Sequence, residues 1–336
     1  MYAGSLSHSE KSLLHSSFNT TGYKRLEENM EAGKNRNMEQ FAEDIRERME
    51  RQGWFEKVAI QDVLKNNGAR RCGLLMCSSG SNLVPTVYLE PFFEAYEDGA
   101  DMDEITGKIL ESYESVLCEG VDMSFFQKFS MVKSRLCMAL VNRKMNQRLL
   151  EDIPYREFLD LAVVYYVDYH DPVIGAGTIR IHNNHMEMWG VTEEDLWEAA
   201  SINTPERKPG RIEKMEDILA ELLSEYGSDD NGCSCNNTEK GQVPMLVITN
   251  TERVYGAAVI LYSGMLKQAA DKTGNDLYIL PSSRHEVIAV PVNGEREVAE
   301  FKEMVMEVNR KEVKPEEMLS DNVYIYRREQ DRLEIA

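Results

Sequence analysis

Residues 158–181 read FLDLAVVYYVDYHDPVIGAGTIRI, and residues 277–291 read LYILPSSRHEVIAVP. In each stretch, a run of β-branched and aromatic residues reaches a turn and is followed by a second such run. These residue types favour strands, and Gly or Pro between two runs favours a hairpin. We therefore predict two hairpins, one pairing 158–167 with 178–181 and the other pairing 277–280 with 286–291.

Amphipathic helices are predicted around both hairpins. Apolar residues recur at helical spacing over 39–51, 105–117, 212–226 and 298–308, and a long apolar helix is predicted over 256–273. The chain has 336 residues, of which 42% are hydrophobic and 8% aromatic, and this is typical of a globular protein with a sizeable core. The sequence thus predicts an α+β fold, with mixed or antiparallel sheets built from hairpins and amphipathic helices packed on their faces.

Composition also divides the chain. Residues 1–37 are rich in Ser, Asn and Gly and lack apolar periodicity, so we predict a mobile leader. Residues 38–150 are expected to form an N-terminal α+β unit, and residues 151–336 a C-terminal α+β unit. Within the second unit, residues 227–242 are predicted to be a flexible loop because they are rich in Gly, Asn, Ser and Asp.

Charge and cysteine usage restrict the setting of the protein. The net charge of −20 disfavours general nucleic-acid binding, which needs clustered Lys and Arg to neutralise phosphates. The six cysteines are scattered, as expected of reduced thiols. No signal peptide is recognisable, and the apolar run 161–167 is too short to cross a bilayer. We expect a cytoplasmic protein that makes no membrane contact.

Several short segments stand out along the chain. They are PTVYL (85–89), NQRLL (146–150), FLDLAVVYYVD (158–168), IHNNH (181–185), MWGV (188–191), NTP (203–205), GAAVILYSGML (256–266), YILPSSRHE (278–286) and LSD (319–321). Through these segments, most of the chain after Met38 resembles a bacterial family of unknown function, number 5688. Residues 281–286 are the most specific part of this resemblance. The resemblance implies a bacterial, cytosolic setting and a link to mobile-element or phage biology, and it implies no chemistry.

The tip of the second hairpin carries the candidate catalytic residues. Ser282, Ser283, His285 and Glu286 are the residue types of a nucleophile, a base and an orienting acid. Serine is also common in turns for conformational reasons, and the chain has no G-x-S-x-G segment to present a nucleophile. We interpret the segment as turn chemistry, and we keep it as a candidate site because function often resides on a loop held by a rigid scaffold.

The histidines of the first hairpin suggest a metal site. His182 and His185 form an H-x-x-H motif, and Asp168 and His170 precede it. If the hairpin forms, Asp168 lies near the turn and His182 at the far end of the second strand, about 15 Å away. We therefore predict no metal site and keep His182 and His185 only as candidate ligands. Cys233 and Cys235 lack the second thiol pair that a four-coordinate zinc site needs.

One basic segment contrasts with the acidic composition. Lys133, Arg135, Arg143, Lys144 and Arg148 lie in the stretch 130–148, which has no Asp or Glu. They are candidate residues for binding an acidic partner, although the lack of interleaved aromatics disfavours stacking on single-stranded nucleic acid. The simpler interpretation is a strand over 130–141 with a solvated basic face that pairs with acidic helices.

Three functions follow from these patterns. The leading hypothesis is a non-catalytic cytoplasmic binding protein with a protein partner. No cofactor is expected, because the chain has no glycine-rich phosphate loop, Walker A motif or H-E-x-x-H motif. The alternative is a hydrolase or metal-dependent nuclease that uses His182, His185, His285 and Glu286. The third hypothesis is a structural subunit that forms a stable oligomer.

Overall fold

The computed structural model describes residues 37–77, 86–116, 123–171, 175–225, 245–294 and 297–336. Apart from Asn37, the predicted leader lies outside these residues, as does the whole predicted loop 227–242 with Cys233 and Cys235. Every helix among the described residues is too short or too polar to span a bilayer. The described residues divide into two compact units: the first takes those within 37–63 and 71–116, and the second those within 64–70 and 123–336. The sequence-based border at residue 150 stays a prediction about folding domains.

The first unit packs three helices and a small sheet. Its elements are α1 (Met38–Gln52), β1 (Lys57–Leu64), β2 (Arg70–Cys77), β3 (Thr86–Tyr88), α2 (Glu90–Glu97) and α3 (Met102–Val116), and the sheet order is β1-β2-β3. The predicted helix over 39–51 is confirmed as α1. It begins with a reciprocal capping pair, because Asn37 accepts from the backbone N–H of Gln40 and the Gln40 side chain accepts from that of Asn37. Its apolar face is fully buried at Phe41 and Ile45.

The second unit contains a four-stranded sheet around the first predicted hairpin. Its strands are β4 (Leu136–Asn142), β5 (Tyr155–Phe158), β6 (Leu161–Asp171) and β7 (Gly175–Arg180). The hairpin is confirmed, since β6 and β7 pair antiparallel from Tyr166 opposite Arg180 to Asp171 opposite Gly175. The other strands, β4 and β5, also pair antiparallel with β6. Because β6 is buried on both faces, its sequence is a continuous apolar run and not an alternating one.

A six-stranded sheet completes the second unit around the other hairpin. Its strands are β8 (Gly210–Lys214), β9 (Leu246–Asn250), β10 (Leu277–Leu280), β11 (Val287–Pro291), β12 (Tyr324–Arg327) and β13 (Arg332–Ile335), in the order β13-β12-β10-β11-β9-β8. Every neighbouring pair is antiparallel, and the predicted hairpin is confirmed as β10 and β11.

Helices surround the two sheets of the second unit. They are α4 (Phe129–Val132), α5 (Gln147–Leu150), α6 (Asn183–Trp189), α7 (Glu193–Arg207), α8 (Met215–Glu225), α9 (Met265–Thr273) and α10 (Val298–Lys311). The apolar sides of both sheets and of the helices α7 and α9 join in one large core cluster. The protein is therefore α+β with antiparallel sheets, as its sequence predicts.

Three predicted elements of the second unit are wrong in detail. Residues 130–135 are not strand: α4 and a 3₁₀ turn (Lys133–Arg135) precede β4. The predicted helix over 256–273 is a 3₁₀ segment (Gly256–Leu261) and α9, and between them Gly264 has a φ of 76° that interrupts the helix. Ile212, expected on a helix, lies in β8 opposite Ile248.

Candidate functional site

The turn between β10 and β11 is fixed in place by its own polar groups. Ser283 is buried, and its hydroxyl accepts a hydrogen bond from the backbone N–H of His285 at 3.0 Å. The carbonyl of Ser282 accepts from the backbone N–H of Leu319 at 2.9 Å, and the backbone of Ser283 forms a bridge with Met318. Both candidate serines therefore stabilise the turn. Glu286 is half-buried and immediately precedes β11.

On its other side, the turn is held by a close approach between its backbone and the segments around Thr249 and Gly256. The hydroxyl of Thr249 donates to the carbonyl of His285 at 2.7 Å, and the backbone N–H of Ala257 donates to the carbonyl of Arg284 at 3.2 Å. Gly256 makes this possible, since a Cβ there would overlap both Thr249 Oγ1 and the carbonyl oxygen of His285. The side chains of Arg284 and His285 are thus presented by a rigid backbone.

The His285 ring lies beside Tyr255 and Glu317. It stacks on Tyr255 with ring centroids 6.1 Å apart and an interplanar angle of 17°. Its Nδ1 accepts from the backbone N–H of Tyr255 at 3.4 Å, and its Nε2 lies 4.0 Å from a carboxylate oxygen of Glu317. Both side chains reach solvent, with 26% of His285 and 40% of Glu317 exposed. An Nδ1 that accepts leaves Nε2 to carry the proton of the neutral ring, so Nε2 is a hydrogen-bond donor here.

Arg284 lies on the Tyr255 ring, with its guanidinium carbon 4.2 Å from the ring centroid. Its Nε is buried and has no hydrogen-bond partner among the described residues. Burial lowers the pKa of Arg284, the charge of Arg180 lowers it further, and Tyr255 and Glu317 counteract the decrease. The side chain therefore carries a partly desolvated positive charge, and its contacts with Tyr255 and the nearby Glu317 carboxylate offset part of the cost.

Tyr255 connects this turn to the four-stranded sheet. Its backbone has a positive φ of 54°, which is uncommon for a bulky residue and often marks a functional site. Tyr166 of β6 meets its ring edge-on at a centroid distance of 5.2 Å. The Tyr166 side chain is 4% exposed, and its hydroxyl has no partner among the described residues. Arg180 of β7 lies directly opposite Tyr166, so both side chains are on the same face of the sheet.

The same face carries a buried ionic network that the sequence did not reveal. Lys208 is 2% exposed, and its Nζ pairs with Asp168 at 3.2 Å and with Glu252. Arg207 donates to Asp168 through Nε and Nη2 at 3.2 and 2.7 Å. Burial by itself would raise the pKa of Asp168, but the hydrogen bond from Arg207 and the charge of Lys208 outweigh it, and the pKa is lowered. Two cations and two carboxylates offset each other, so this network is a structural one.

Cys137 lies against this network. Burial is the main reason that its thiol has a pKa raised to about 11, with the Asp168 carboxylate as a further cause. A thiol of that pKa is almost wholly protonated near neutral pH and is a poor nucleophile.

His182 and His185 form a separate contact group at the start of α6. The Nδ1 of His182 lies 2.6 Å from a carboxylate oxygen of Asp152, and the Nδ1 of His185 accepts from the backbone N–H of His182 at 3.1 Å. The His185 ring packs edge-on against Phe126. Within the described residues, no three His, Cys, Asp or Glu side chains are grouped to hold a metal ion. The motif thus caps a helix here.

The five basic candidates do not form one patch. Lys133 and Arg135 precede β4, whereas Arg143, Lys144 and Arg148 follow it. Seven strand residues at 3.3 Å each separate the two groups by about 20 Å. Arg135 packs over the Phe125 ring and Arg143 pairs with Glu157, while Lys133, Lys144 and Arg148 are exposed. Arg143 and Lys144 also line a surface recess of about 620 Å³ with Leu150 and Tyr155.

Sequence reasoning missed the centre of the site. Arg284 lies inside the segment 281–286, but the serines and His285 beside it, and not the arginine, are the residue types of a catalytic set. Tyr255 gives no signal in the sequence beyond preceding Gly256, because its left-handed backbone and its contact with Tyr166 arise only on folding.

The comparisons with known proteins place the chain in a family. Residues 36–328 match a family of unknown function, DUF5688, and the chain belongs to that family. No curated protein matches it. No solved structure matches it either. The family assignment therefore confirms the kinship predicted from sequence.

Proposed function

We propose that this is a non-catalytic cytoplasmic binding protein of bacterial origin. Its binding surface is what we call the Arg284 platform, formed by Arg180, Tyr255, Arg284, His285 and Glu317. The kinship suggests service in a mobile-element or phage-related process.

One observation supports binding over acyl transfer. The hydroxyl of Ser283 is buried and accepts from the backbone of His285, while the His285 ring uses Nδ1 toward the backbone of Tyr255. A catalytic serine needs its hydroxyl to donate to the histidine ring and to reach a substrate. The geometry of the turn instead presents Arg284 and His285 on a rigid support, which suits recognition.

The test asks whether the protein retains a compound unchanged or converts it to a product. The full chain would be incubated with size-fractionated bacterial extract and then analysed by native mass spectrometry, with Tyr255→Ala and His285→Ala as site variants and Arg211→Gln as a control on the exposed side of β8. The proposal predicts a compound that is retained by the wild type and the control, lost from the site variants, and recovered unchanged. A compound recovered as a cleaved product, or retained equally by all variants, would contradict it.

A hydrolase is a second proposal, favoured by the pairing of His182 with Asp152. A carboxylate at 2.6 Å from Nδ1 is the contact that orients a histidine base. Together with His185, His285 and Glu286, these residues would serve a hydrolase or a metal-dependent nuclease. The proposal predicts metal-stimulated cleavage of ester or nucleic-acid substrates that falls at least tenfold in Asp152→Asn and in His285→Ala. Equal residual cleavage in all three proteins would exclude it.

A further inference from the structure

Arg284 is a half-buried cation with a buried Nε, and its guanidinium has no ion-paired carboxylate among the described residues. Lys208, by comparison, contacts two carboxylates. The ion pairs of the described residues do not include Arg284, and its buried Nε meets no acceptor. Desolvated charges in proteins are normally paired, and a site that is not paired internally is suited to an external partner of opposite sign.

Neighbouring groups make the same place attractive to an anion. Arg180 adds a second positive charge close enough to disfavour the charge of Arg284. His285 offers an Nε2 donor that is 4.0 Å from Glu317, which is too far for a hydrogen bond. Tyr166, which meets the edge of the Tyr255 ring, has a buried hydroxyl without a partner among the described residues.

The guanidinium geometry defines the class of ligand. Arginine presents its N–H groups as a planar fork that fits carboxylate and phosphate oxygens, and a ring below it holds that fork in one orientation. A polyanion is a poor candidate, because the net charge of −20 repels it at a distance. A small molecule with one oxyanion group avoids most of this repulsion.

We propose that the Arg284 platform binds the oxyanion group, phosphate or carboxylate, of a small ligand, with Arg284 and His285 as donors. This inference rests on the proposed binding function and adds the chemical class of the ligand. Glu317 acts against it: its carboxylate faces the same position and limits the affinity for anions.

The test follows the NMR signal of the Arg284 side chain directly. The full chain, labelled with ¹⁵N, would be titrated with inorganic phosphate and separately with acetate at constant ionic strength maintained by chloride, while the Nε resonance of Arg284 is followed by NMR. We expect a saturable shift, with the tighter of the two probes identifying the oxyanion. The affinity should fall at least tenfold in Arg284→Gln, stay within twofold in Arg211→Gln, and rise several-fold in Glu317→Gln.

Two results would overturn the inference. One is an Nε shift that chloride alone reproduces at equal ionic strength. The other is phosphate and acetate affinity that Arg284→Gln leaves unchanged. The wild-type titration decides the first result even if the variant fails to fold.

The titration and the extract experiment together distinguish a wrong ligand class from a wrong binding function. If the extract experiment retains a neutral or cationic compound through His285 while the oxyanions leave Nε unchanged, the binding function stands and the ligand class is wrong. If the oxyanions bind at Arg284 but nothing is retained from extract, the anion site is confirmed and the proposed binding function is wrong.

Discussion

Two cations, the buried Lys208 and the half-buried Arg284, lie in opposite electrostatic situations within one unit. Lys208 is enclosed by Asp168 and Glu252, so its charge is compensated inside the protein. Arg284 rests on an aromatic ring with an unpartnered Nε. The first arrangement stabilises the fold and the second is the proposed recognition site, so mutations at the two positions should separate these effects.

At Asp168, removing the charge should destabilise the fold. Asp168→Asn leaves Lys208, which is 2% exposed, with one carboxylate and deprives Arg207 of its acceptor charge. Breaking a buried pair in this way costs about 3 kcal/mol. Urea denaturation would measure it, with Glu213→Gln as the matched control, because that more exposed pair with Arg253 is expected to contribute about 0–1 kcal/mol. Equal effects of the two substitutions would contradict the assignment.

The lowered pKa of His185 predicts that the stability of the fold depends on pH. Burial lowers its pKa from the ordinary value, and the charge of His182 adds to the decrease. The unfolded chain therefore binds the proton more readily. The contribution of His185 to stability is complete above the unfolded pKa of about 6.5 and declines as pH falls from there toward the lowered folded value. The free energy of unfolding between pH 7.5 and 5 should show a smaller slope in His185→Gln, and an unaltered slope would disprove this contribution.

At the scale of elements, Gly256 is the point where the 3₁₀ segment (Gly256–Leu261) and the β10–β11 turn meet. Gly256→Ala places a methyl group against Thr249 Oγ1 and the His285 carbonyl, so the turn must move. We expect a loss of about 1–3 kcal/mol by urea denaturation, as in overpacked cores. Gly177→Ala is the control, because a Cβ there meets nothing within 4 Å. If Gly256→Ala is as stable as the control, the turn is not rigid.

The two hairpins were predictable from sequence because each combines β-branched and aromatic runs with a turn. The short helical turns before β4 were not, because contacts from distant residues stabilise them. Asn203 of α7 donates to the carbonyl oxygens of Lys133 and Leu136 at 2.6 and 3.2 Å, and this stabilises a helical turn that residues 130–135 do not specify by themselves. The strand β8 was missed for a similar reason: its five residues are ordered by pairing with β9.

The candidate site was predictable only in part. The segment 281–286 is distinctive as a sequence, and the structure confirms that it forms the hairpin turn. The surroundings of Arg284 are formed by Tyr255, Tyr166 and Arg180, which come from three other parts of the chain. Such a convergence is set by tertiary packing, and a single sequence does not display it.

For the whole molecule, the separation of the basic candidates makes a further prediction about a protein partner. Lys144 is exposed beside a recess that Leu150 and Tyr155 also line, whereas Arg135 is engaged with Phe125. An acidic partner should therefore depend on the group after β4. Reversing the charges of Arg143 and Lys144 should lower partner recovery in a pull-down at least fivefold, and reversing Lys133 and Arg135 should change it less than twofold. The opposite ranking, or no change in either variant, would contradict a contact at this recess.

The whole protein has a net charge of −20, which repels anions at a distance. On the Arg284 platform, the charge of Arg180 acts on Arg284. Anion recognition at this place must therefore be local and short-ranged. The most direct test is a crystal structure of the full chain grown with phosphate or acetate. We predict an oxyanion within hydrogen-bond distance of Arg284, above the ring of Tyr255. An Arg284 side chain bonded instead to a carboxylate of the protein itself, with no anion present, would contradict it.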